Sequence, residues 1–249
     1  MTMNAYEDSI RFRLAEWERR LLKPPGLLER TSKTVQTKIN EKIPAKVHAA
    51  LTSAVKGIFH TVLFTLDYVP KGLPQAGLTL QERDEKAAAL VNTYKKIAAA
   101  EGAGTGAGGF ALGLVDFPAL IAIKMKCLFE LAHLYGYSTR DYRERLFLLY
   151  VFQLAFSGRD HKTGVYRTIQ SWDATAELYP PGELALQTIE WEKLQQEYRD
   201  AIDFRKMLQL VPGIGAIVGA WANYGLLEEL GEAAINSFRL RLLGAPGGA

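Results

Sequence analysis

Apolar residues recur along this chain every three or four positions and nowhere alternate convincingly with polar ones, a pattern that predicts helices and no strand. Residues 5–22 read as a short amphipathic helix stopped by Pro24-Pro25-Gly26. From Leu27 to about Val69 the stripe Val35, Ile39, Ile43, Val47, Leu51, Val55, Ile58, Val62 and Leu66 predicts a long helix, kinked or divided at Pro44. Lys33, Lys38, Lys42 and Lys46 fall mostly off that stripe, and Tyr68 to Pro74 reads as a loop. Thr79-x-x-Glu82 is a capping box for a helix with Leu90, Val91, Tyr94 and Ile97 on one face, running into the glycines that follow Glu101.

Further along, Asp116 reads as the N-cap of a helix entered through Phe117-Pro118. In Tyr135-Gly136-Tyr137 the glycine suits the left-handed residue that ends that helix. Ser138-x-x-Asp141 caps the next, whose uncharged run Leu146 to Ser157 predicts full burial up to a stop at Gly158. Helices over 164–178 and 183–208 follow, then one from Pro212-Gly213 to about Leu242 and a frayed tail over 244–249. The expected fold is all-α, with eight or nine helices. It divides into an N-terminal amphipathic helix (1–24), one helical domain (25–243) and the tail.

Two glycine-dense segments stand out. Gly102, Gly104, Gly106, Gly108, Gly109 and Gly113 lie in the first; Gly213, Gly215 and Gly219 lie in the second, with Asn223 just beyond. Gly104-xxx-Gly108, Gly109-xxx-Gly113 and Gly215-xxx-Gly219 put hydrogen side chains one helical turn apart, which lets backbones pack closely. A glycine-rich helix crossing in the centre of the fold is therefore expected, and a ligand cradle between the same helices is the competing reading. Gly104-x-Gly106-x-x-Gly109 also matches the dinucleotide fingerprint in form, but the helix-forming residues before it and the lack of βαβ alternation argue against that use.

Composition narrows the picture. The chain has 249 residues, 48% hydrophobic and 23% charged, ordinary for a globular protein, and a net charge of +3 too small to suggest nucleic acid. Twelve Lys or Arg against seven Asp or Glu in residues 1–71 make the first third basic, suited to an anionic membrane surface. Met207 to Leu227 is uncharged over 21 residues, yet its glycines, Pro212, Gln209 and Asn223 make it too polar to expect a span. The single Cys127 permits no internal disulfide and fits a reducing compartment. His48, His60, His133 and His161 are scattered, so no metal site and no cofactor are expected. Asp116 is explained by capping, and Asn223 needs a hydrogen-bond partner if buried.

The order of these segments resembles the EcsC protein family over roughly residues 25–243. The resemblance rests on Ala99 to Gly109 leading to Val115-Asp116-Phe117-Pro118, on Tyr135-Gly136-Tyr137, on Ile39 to His48, and on Val211 to Tyr224. It implies signature positions in the glycine segments, Asp116 and Tyr135-Gly136, but no catalytic residues and no defined activity; the namesake member is encoded beside an ABC transporter. The expected function is non-enzymatic: binding of lipid or another apolar ligand at the cytoplasmic membrane face, between the glycine-bearing helices. A soluble adaptor for a membrane transporter is the alternative, and an enzyme of unidentified chemistry the weaker one.

Overall fold

The computed structural model describes residues 5–23, 57, 60, 69–106, 117–157, 159–182, 184 and 215–244. These form seven helices: α1 (Ala5–Leu22), α2 (Leu80–Gly106), α3 (Phe117–Tyr135), α4 (Tyr142–Phe156), α5 (Arg159–Gln170), α6 (Trp172–Glu177) and α7 (Gly215–Leu243). No strand occurs among the described residues. Outside them lie the predicted helix around Lys33, Lys38, Lys42 and Lys46, the predicted helix over 183–208 apart from Leu184, and Gly108, Gly109, Gly113, Asp116 and Gly213.

Helices α2, α3, α4 and α7 form an antiparallel bundle in which α2 and α4 each pack against both α3 and α7. The pairings that set direction are specific. Tyr94 donates its hydroxyl to Glu130 at 2.8 Å, and Tyr135, later in α3, reaches back to the earlier Asp84 of α2. On the other side Phe147 lies 5.3 Å from Phe238, while the earlier Glu144 meets the later Arg241. Helix α1 buries Ile10, Leu14 and Trp17 on the bundle, and its Trp17 ring sits edge-on to Tyr166 of α5 at 5.9 Å. The core is aromatic: Tyr135 stacks on Phe238 at 4.9 Å, and Phe147 bridges Phe238 to Trp172.

Local signals account for several helix ends. Thr79 and Glu82 form the capping box, with the Thr79 N–H donating to Glu82 at 2.8 Å and the Glu82 N–H to the Thr79 hydroxyl at 3.3 Å. Gly136, at φ 95°, ends α3: its N–H donates to the His133 carbonyl and the Tyr137 N–H to Ala132, a Schellman closure. Three expectations need correction. Helix α4 is capped by Asp141 alone, whose carboxylate accepts from the Arg143 N–H at 2.9 Å, because Ser138 contributes its carbonyl to a turn before the helix. The single helix expected over 164–178 is two, α5 and α6, broken at Ser171, whose hydroxyl bonds back to the Arg167 carbonyl. Ile97 is exposed; the inward stripe of α2 is Leu80, Asp84, Ala87, Val91, Lys95 and Ala98.

Helices α2 and α7 are the longest and most extensively packed pair. One close contact between them falls at Gly231, a glycine outside both dense segments. A Cβ on Gly231 would lie 2.5 Å and 2.8 Å from the two methyls of Val91, a β-branched side chain with little rotameric freedom in a helix. Gly231→Ala should therefore destabilise the chain by about 1–3 kcal/mol through overpacking, despite a helix-propensity gain near ~1 kcal/mol. Urea denaturation should show Val91→Ala absorbing part of that loss, so that the double variant is more stable than the two single losses added together. Additive losses would mean that the two residues do not meet.

Candidate functional site

Three contacts set the register of α2 on α7: Asp84 with Arg239, Val91 with Gly231, and Lys95 with Glu228. Each step forward in α2 is a step backward in α7. Helix α2 ends at Gly106 and α7 begins at Gly215, so the helix ends carrying Gly102, Gly104 and Gly106 and those carrying Gly215 and Gly219 share one end of the bundle. The opposite end is built from charged and aromatic groups.

At that polar end Asp84 is buried and receives three donors from three other helices. Tyr6 of α1 donates at 2.7 Å, Tyr135 of α3 at 2.5 Å and the Arg239 guanidinium of α7 at 3.1 Å; Arg239 also donates to Asn236 at 2.9 Å. Burial, then the hydrogen bond to Asp84, pushes the Tyr6 hydroxyl up to about 12. Burial and the neighbouring Asp84 charge raise Tyr135 further still. Beside this cluster Arg241 grips both Glu144 oxygens at 2.7 Å and 3.0 Å, reaches Asp173 at 2.9 Å, and lies 3.8 Å over the Tyr137 ring. Arg83 donates to the carbonyls of Leu134, Leu78 and Gln75, tying the loop before α2 to the end of α3. Each carboxylate here is engaged by cations or hydroxyls from neighbouring helices, so the arrangement fastens those helices together.

The glycine end is built from different groups. Lys95 is buried, 2.7 Å from Glu228 and 4.2 Å over the Tyr224 ring. Lys124 of α3 is fully buried with its ammonium 4.7 Å over Phe156 of α4. Asn223 is 6% exposed, and its side-chain oxygen has no hydrogen-bond partner. Two residues earlier Trp221 stands 70% exposed. Cys127 is buried, and that burial raises its thiol far above the ordinary range, so it is an inert core residue. No group of three His, Cys, Asp or Glu able to hold a metal ion occurs among the described residues.

The residues singled out in the sequence thus divide between the two ends. Gly102, Gly104, Gly106, Gly215, Gly219 and Asn223 belong to one; Tyr135 and Gly136 belong to the other, where they cap α3 and hold Asp84. The sequence reading missed Asp84, Arg239 and Arg241. A signal for Asp84 did exist: it interrupts the apolar stripe running from Leu80 through Ala87 to Val91, where a charge must find a buried partner.

Breaking the buried pair should be costly. Asp84→Asn should lower stability by about 3–5 kcal/mol, since it strands the Arg239 charge, and Tyr135→Phe by about 1–3 kcal/mol. Tyr6 and Tyr135 both have folded values raised above the ordinary phenol value near ~10. Their contribution is fully present below about pH 10 and is lost as the pH climbs toward 12 and beyond. Denaturation midpoints measured from pH 8 to 12 should fall over the upper part of that range, and fall less in the Tyr6→Phe, Tyr135→Phe double variant.

No helix among the described residues is long and apolar enough to cross a membrane. No solved structure matches the chain. In sequence it is 45% identical to "Protein EcsC" of Bacillus subtilis (strain 168), over 92% of this chain and 92% of that protein. It is 28% identical to "Uncharacterized protein YdbA" of the same organism over 64% of this chain and 57% of that protein. The family model described as EcsC protein family matches residues 9–243, from within α1 to the end of α7. With nearly the whole helical assembly inside that match, the chain belongs to the EcsC protein family.

Proposed function

We propose that this protein works without catalysis at the cytoplasmic face of a membrane, holding a lipid or another apolar ligand between the glycine-bearing ends of α2 and α7. The observation that carries this reading is the antiparallel register, which gives those two helix ends a common end of the bundle. Helices with little side chain at such an end can part or close over a chain-like ligand with small steric change. The exposed Trp221 fits a headgroup-level anchor, since an indole combines an apolar body with a polar N–H. The basic first third of the chain suits anionic headgroups, at about 1 kcal/mol per Lys or Arg near the surface. The cytoplasmic side is supported by the one free, buried thiol.

Vesicle sedimentation tests the reading. The protein should pellet with vesicles containing phosphatidylglycerol more than with neutral phosphatidylcholine vesicles, and 0.5 M salt should release most of it, because headgroup attraction is screened. Trp221→Ala should pellet less at low salt. Absence of binding to both vesicle types would contradict the membrane reading and favour the adaptor role.

A further inference from the structure

We draw no further inference here: the strongest candidate, the exposed surface patch of Trp221 and Tyr224 on the early turns of α7, serves the membrane contact already proposed, and nothing in the structure shows what else covers it.

Discussion

Everything described in this fold hangs on the buried pair of Asp84 and Arg239. A carboxylate on the inner stripe of α2 cannot be left alone, because an unpaired charge in the interior costs several kcal/mol. It is satisfied only when α7 presents Arg239, α3 presents Tyr135 and α1 presents Tyr6 at the same moment. One side chain therefore specifies the relative placement of four helices separated widely in sequence. A slip of α7 by a turn would break this cluster as well as the close Gly231–Val91 contact.

With that end fastened, the rest of the α2–α7 interface follows from helix geometry. Gly231 lets α7 pass Val91 at a distance that no other residue would permit, and Lys95 then finds Glu228 and the face of Tyr224. Arg241, two residues beyond Arg239, turns toward α4 and α6 and ties them to the same corner. The two ends of the bundle consequently differ in kind. One is cross-linked by charge and aromatic contact, while the other is lined by small residues and retains an amide oxygen without a donor.

Local chemistry made much of the fold legible in the sequence. The capping box at Thr79, the glycine terminator at Gly136 and the uncharged run of α4 each carry their signal within a few residues, and each is found in the structure. Ser171 escaped notice because its break depends on a side-chain bond back to Arg167, which no residue pattern announces. The polar cluster escaped for a deeper reason: Tyr6, Asp84, Tyr135 and Arg239 lie far apart in sequence, and only tertiary structure unites them. Gly231, isolated among Leu230, Glu232 and Ala233, sits close against Val91, and no run of glycines marked it in the sequence.

For the functional account the decisive geometric fact is that the late turns of α2 and the early turns of α7 run side by side. Spin labels at the exposed positions Ala100 and Trp221, in a Cys127→Ser background, measure it directly by double electron–electron resonance. Antiparallel helices in the register set by Asp84 and Arg239 put these positions at nearly the same level on neighbouring helices, whose axes lie about 8–10 Å apart. A narrow distribution centred on the order of 20 Å, allowing for the label arms, is the result the account predicts. A helix rises about 1.5 Å per residue, so parallel helices would offset the two positions by a further ~21 Å along the axis and move the distribution to about 30 Å. A distribution centred there would contradict the shared glycine end and, with it, the site proposed between the helices.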